Sequence, residues 1–155
     1  METNPKLPPD LKDELVVVNL QKKLPLDTKG FRAFARIVAD GVAEANGRNF
    51  SVAFVSDRRM TELNGLFRGK AFTTDVLSFP HEPDEFDPDQ NNLGDIVISA
   101  EQANRQAGEN SLSLEAEIKQ LILHGLLHLC GFDHETDNGE MDARELELRK
   151  ELGLD

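Results

Sequence analysis

Three of the four histidines in this 155-residue chain crowd into one short stretch, as His124, His128 and His134. The stretch reads Leu123-His124-Gly125-Leu126-Leu127-His128-Leu129-Cys130-Gly131-Phe132-Asp133-His134. If the residues before Gly131 are helical, His124 and His128 stand one turn apart on the same face. Two imidazoles so spaced can reach one metal ion. Gly131 is suited to end the helix, because a left-handed backbone carries no Cβ penalty for glycine. The chain then turns, which lets His134 return to the same point. Three imidazoles suit zinc and leave a fourth tetrahedral position open for water, the layout of a catalytic rather than a structural site. Imidazoles also suit nickel, copper and iron, so the sequence leaves the native metal open.

The same His-x-x-x-His-x-x-Gly-x-x-His spacing occurs in metzincin proteases, where the residue after the first histidine is a glutamate that acts as general base. Here that residue is Gly125. A zinc peptidase therefore stands only as an alternative, with its metal cradle kept and its base missing. Cys130 follows His128 by two residues and so lies on another helix face; it is expected to be a small packed residue rather than a ligand. His81 lies beside an acidic loop and is expected to be a surface histidine. Asp133 and Glu135 flank His134, and either is a candidate to orient a ligand imidazole.

The elements that must carry these residues can be read in order. Residues 1–14 are polar, contain Pro5, Pro8 and Pro9, and are expected to form a loose arm ahead of a single domain over 15–155. Residues 15–20 are β-branched and apolar, which predicts a strand. Asp27 or Thr28 can cap a helix to about Ala45, with Phe31, Phe34, Ala35, Val38 and Val42 as its buried stripe and Asn46-Gly47 at its end. Residues 50–55 predict a second strand. Ser56 or Asp57 caps a helix to about Phe67. Residues 74–79 predict a third strand, stopped by Pro80. Five acids and two prolines make residues 81–92 a solvated loop. Residues 95–98 predict a fourth strand, paired with the third as a hairpin. A helix from Ser99 or Ala100 closes at Gly108. Ser113 opens the histidine helix, which is apolar nearly all round and so buried. Asp137 or Asn138 starts a last helix, mostly a solvated face with Met141, Leu146 and Leu148 as packing residues. The fold expected is α+β, about four strands in a mixed sheet packed with helices, the buried metal-binding helix at its centre and a zincin-like metal site.

The net charge is −12, with 39% hydrophobic and 30% charged residues. Residues 1–70 carry 12 Lys/Arg against 9 Asp/Glu, and residues 71–155 carry 5 against 20. Residues 29–70 hold 8 basic against 4 acidic side chains. Phosphate binding needs a local positive patch rather than a positive total, so this balance does not exclude RNA. No apolar run is long enough to span a bilayer, and the N-terminus does not read as a signal peptide. A lone cysteine fits a reducing compartment. The expectation is a cytoplasmic protein without a membrane partner.

The histidine stretch closely resembles the signature of the YbeY family of bacterial metal-dependent endoribonucleases. Two further blocks are similar to that family's: Leu63-Asn64-Gly65-Leu66-Phe67-Arg68-Gly69-Lys70 followed by Thr73-Thr74-Asp75-Val76-Leu77-Ser78-Phe79-Pro80, and Leu93-Gly94-Asp95-Ile96-Val97-Ile98-Ser99. The resemblance covers roughly residues 15 to 150. It implies His124, His128 and His134 as ligands to one Zn2+ or another divalent ion, and Arg68 as a catalytic arginine. It also implies cleavage of single-stranded RNA, maturation of the 3′ end of small-subunit rRNA, ribosome quality control, and ribosomal small-subunit proteins or assembly factors as partners, with no role on DNA. The general base stays open: water or the RNA 2′-hydroxyl can be the attacking group. A non-catalytic ribosome-assembly factor with a structural metal is the other alternative.

Overall fold

A computed structural model describes residues 15–88, 90–133 and 135–154. The expected arm over 1–14 and His134 lie outside the described residues. The described elements are β1 (Val16–Asn19), α1 (Thr28–Gly41), β2 (Asn49–Val55), α2 (Asp57–Arg68), β3 (Val76–Pro80), β4 (Asn92–Ser99), α3 (Ala100–Glu109), α4 (Leu114–Leu129) and α5 (Glu140–Leu152). The class is α+β, as expected.

The four strands form one mixed sheet in the order β1-β2-β4-β3. β1 and β2 run parallel, as do β2 and β4, while β3 pairs antiparallel with β4 from Val76↔Ile98 to Pro80↔Gly94. Period-two alternation divides the strands between two faces. Phe50, Val52 and Phe54 of β2 and Ile96 and Ile98 of β4 join the main core with the stripes of α1 and α4. On the opposite face Val55, Met60 and Leu77 make a smaller cluster beneath α2, with Leu63, Phe79 and Val97 packed against it.

Helix starts follow local chemistry. The Asp27, Ser56 and Ser113 side chains accept hydrogen bonds from the N–H groups of Gly30, Arg59 and Ala116 at 3.0–3.1 Å, the caps expected of these residue types. Helix ends depart further from expectation. α1 stops at Gly41, not Ala45; Val42 caps it with an extended backbone (φ −90°, ψ 111°), Val42 and Ala45 are both fully buried, and Asn46 and Gly47 take positive φ in the turn that follows. α3 runs through Gly108, because Ala100, Ala103 and Ala107 form one buried stripe; the left-handed residue at its exit is Ser111. α5 starts at Glu140, but Asp137 still serves it, accepting from the N–H groups of Gly139 and Met141 at 2.9 Å. In α5, Met141 and Leu148 are buried and Leu146 is exposed. Among the described residues no helix is long and apolar enough to cross a membrane.

α4 is the helix the rest encloses. Ile118, Ile122, Leu123, Leu126 and Leu127 have no solvent exposure. It lies directly on the sheet at Gly125, where an added Cβ would sit 2.9–3.1 Å from three side-chain carbons of Ile96. Glycine is what permits this approach.

Candidate active site

On α4 the 3.6-residue repeat brings His124 and His128 together, with ring centroids 4.9 Å apart and planes at 76°. Both are half-buried, on the half of the helix where Leu121, Ile122, Leu123, Leu126, Leu127 and Leu129 are buried. The helix then closes as Gly131 predicts. Gly131 has φ +103°, its N–H donates to the His128 carbonyl at 3.0 Å, and the Phe132 N–H donates to the Leu127 carbonyl at 3.1 Å. This pair of bonds is the Schellman arrangement, and it fixes the direction in which the chain leaves the second histidine.

A carboxylate orients the first imidazole. Glu145 Oε1 lies 2.6 Å from His124 Nδ1, and Glu145 Oε2 accepts from Arg149 of the next turn of α5. Glu145 is 8% exposed. Burial works to raise its pKa, but the hydrogen bond and charge of His124, with Arg149, outweigh it and hold the carboxyl below its usual range. An ionised carboxylate only accepts, so His124 Nδ1 is the donor in this contact. The sequence reading missed this residue, placing Glu/Arg charges of the last helix on a solvated face. Its signal was present: Glu145 falls in the buried stripe Met141, Glu145, Leu148, where an acid has no reason to be unless something pairs with it.

Asp133 and Glu135 make contacts within their own turn and across to α2. Asp133 accepts from the Glu135 N–H through its side chain, and its carbonyl accepts from Thr136 and Asp137, all within the turn. Glu135 faces Arg68 at 3.8 Å. Arg68 is the last residue of α2, where Gly69 takes the left-handed conformation with φ +67° and ends the helix. The Arg68–Glu135 pair is exposed on both sides, so it restrains the guanidinium weakly.

These groups meet in one cleft of about 680 Å³, lined on one side by Arg68, Thr74, Asp75 and Ser78 and on the other by His124, His128 and Asp133. Asp75 is a second residue the sequence reading left without a role. It stands at the head of β3, accepts from the Val76 N–H at 2.8 Å and Gln106 Nε2 at 3.2 Å, and also lines an adjoining cavity of about 630 Å³ behind His124. Cys130 is half-buried at the end of α4 and packs against the main core; burial pushes its thiol up to about 11, so it stays protonated at neutral pH. His81 is half-buried and its Nε2 lies 2.8 Å from Asp87 of the acidic loop. Among the described residues no three His, Cys, Asp or Glu side chains are gathered to hold a metal.

A family model described as endoribonuclease YbeY matches residues 16–153. The chain belongs to the YbeY family. Among curated members, the endoribonuclease YbeY of Alkaliphilus metalliredigens is 38% identical over 148 residues, covering 90% of this chain and 96% of that one. Those of Nautilia profundicola and Campylobacter jejuni are 49% and 44% identical over 107 and 108 residues, each covering 69% of this chain and 74% and 77% of theirs. The solution structure of TM1509 from Thermotoga maritima is similar across 89% of this chain and 88% of that one, with TM-score 0.61 and 26% identity. The YbeY match spans Arg68, His124, His128 and His134. The peptidase alternative is not supported. Besides lacking the protease glutamate, position 125 points its missing Cβ into Ile96, against the sheet.

Proposed function

We propose that this chain is a metal-dependent endoribonuclease that cuts single-stranded RNA, and that its cellular task is maturation of the 3′ end of small-subunit rRNA in the cytoplasm, with ribosome quality control. Membership of the YbeY family supports the activity, and one observation carries its assignment to a place: Arg68 opens into the same cleft as His124 and His128. The proposed metal ligands are His124, His128 and His134, and Zn2+ is the ion that suits three imidazoles with an open position. The donor chemistry fits, because Glu145 engages His124 Nδ1 as the outer carboxylate partner typical of a metal-binding imidazole. A divalent ion held there supplies Lewis-acid help at the phosphate and makes water more acidic.

The remaining work belongs to side chains. Arg68 binds the phosphate, since its fork matches two phosphate oxygens and stays charged throughout. Its exposed pairing with Glu135 is weak enough to exchange for substrate. Charge that builds on the phosphate is offset by the same guanidinium. Thr74 and Ser78 offer hydroxyls along the cleft wall. A space of this size takes a few nucleotides at most. Choice of one rRNA position therefore calls for a partner, and a small-subunit protein or assembly factor is proposed; correct, fully specific cutting of precursor rRNA by the isolated protein would refute that part. The activity is tested with end-labelled single-stranded RNA, comparing the purified parent with His128→Ala prepared identically. Cutting by the parent alone is expected. Equal cutting by both reports a contaminant and removes the support.

A further inference from the structure

The stretch Gly65-Leu66-Phe67-Arg68-Gly69-Lys70-Ala71-Phe72 is solvent-exposed at every residue. Leu66, Phe67 and Phe72 are 74%, 63% and 60% exposed. Phe31, Phe34, Phe50 and Phe54, by contrast, are in the core. Leaving two phenylalanines and a leucine in water within one short stretch forgoes burial that each such side chain normally gains, and clustered exposed apolar side chains mark a binding surface. The patch is also held in shape. Phe67 sits in the last turn of α2 with its ring edge-on to Phe79 of β3, centroids 5.0 Å apart. Phe72 lies on the loop that leaves the helix. Asn64, with no solvent exposure, secures that loop twice: its Nδ2 donates to the Phe72 carbonyl at 2.9 Å, and its own carbonyl accepts from the Lys70 N–H at 3.3 Å.

Charge names the occupant. Between the two phenylalanines stand Arg68 and Lys70, both exposed, and Arg58 and Arg59 are exposed at the other end of α2. A cationic, aromatic patch on a protein of net charge −12 selects a polyanion with flat apolar groups. Aromatic faces spaced along a positive track are how single-stranded nucleic acid is held without sequence preference. The patch is continuous with the cleft through Arg68.

We propose that Phe67 and Phe72 are a stacking platform for unpaired RNA bases, with Lys70 on the backbone phosphates between them, so that the strand enters the cleft at Arg68. This rests on the endoribonuclease reading above. Restriction to single strands then has a physical origin, because paired bases have no free face to stack.

Anisotropy titrations with the zinc-loaded full chain test it, using a labelled unstructured 2′-O-methyl oligoribonucleotide and an abasic strand of the same length. Stacking is worth roughly 1–3 kcal/mol per base, so Phe67→Ala and Phe72→Ala each weaken binding of the base-bearing strand about 5- to 150-fold and leave the abasic strand unaffected. Lys70→Ala weakens both strands and lowers the salt slope by about 0.7. Phe67→Leu keeps apolar volume against Phe79, so the melting temperature is retained while affinity for bases still falls. Parent-like affinity in the double alanine variant, or equal losses on both strands, overturns the platform. So does a shift from dimer to monomer as the only change, which assigns the patch to a second copy of the chain. If the parent binds and cuts RNA while the double variant binds as tightly, the platform alone fails. If the parent neither binds nor cuts RNA, the endoribonuclease reading fails with it.

Discussion

Glu145 ties a buried acid on one helix to an imidazole on another, and its function can be separated from its packing. Glu145→Gln keeps the shape but loses the charge that fixes the His124 tautomer. Outer partners of metal-bound histidines typically contribute 10- to 100-fold to affinity, so zinc binding, read by competition with a chromogenic chelator, should weaken by about that factor. Unchanged affinity would take Glu145 out of the site. Arg68 gives the complementary case on the substrate side. Arg68→Ala should lower kcat by about 10²–10³, the range for losing one electrostatic donor to a charge that builds in the transition state. Arg68→Lys should recover only part of it, because an ammonium group cannot make the two-pronged contact. Neither change should move the melting temperature noticeably, since the contact with Glu135 is long and exposed. A large drop in melting temperature would instead make Arg68 structural.

At the scale of the element, α4 is defined by two glycines with opposite duties. Gly131 supplies a positive φ at the exit, which an L side chain adopts at a cost of roughly 1–2 kcal/mol. Gly131→Ala should therefore lower the melting temperature by about 2–8 °C in a chain of this size. Gly125 supplies absence of volume. Gly125→Ala forces its Cβ against Ile96, an overpacking worth about 1–3 kcal/mol. Ile96→Ala leaves a cavity of its own, yet the double variant should be less destabilised than the sum of the two singles, because each change relieves the other. Strict additivity in urea titrations would show that the helix does not rest on the sheet there.

Across the whole molecule, ion pairs join parts far apart in sequence. Glu44, in the turns after α1, accepts from Arg144 of α5 at 3.0 Å, and the Arg144 hydrogen bond holds its carboxyl below the usual carboxylate range. Burial works to raise the pKa of Asp57, but the hydrogen bonds of Ser99, Arg105 and Thr73 outweigh this and hold it below the usual carboxylate range. A depressed folded pKa means that the unfolded chain takes up protons first as acid is added. The stability from Asp57 and Glu44 is thus complete above their unfolded values and is lost as pH falls through the folded ones. The urea midpoint should be level near neutrality and fall below about pH 4.5, and Asp57→Asn should flatten part of that fall. A variant with the parent's full pH profile would show that Asp57 is not held in this network. Charge is also distributed at this scale: the basic excess of residues 29–70 includes α2, so a chain of net charge −12 still places a cation, Arg68, in the cleft.

Local chemistry was legible without coordinates. The caps Asp27, Ser56 and Ser113, the left-handed exit at Gly131 and the strand alternation depend on neighbours within a few residues, and so does the shared face of His124 and His128. The three motif blocks also carried the family. What no local pattern reports is which elements meet. The order β1-β2-β4-β3 is a choice among long-range pairings, and α1 ends at Gly41 with Val42 and Ala45 buried in the turns beyond it. Glu145 reaches His124 across 21 positions, and Arg68, at the end of α2, lines the same cleft as the histidines of α4. Residue type and spacing thus determined the groups available for chemistry. Their convergence was decided by tertiary packing, because burial and pairing free energies depend on partners that sequence proximity does not contain.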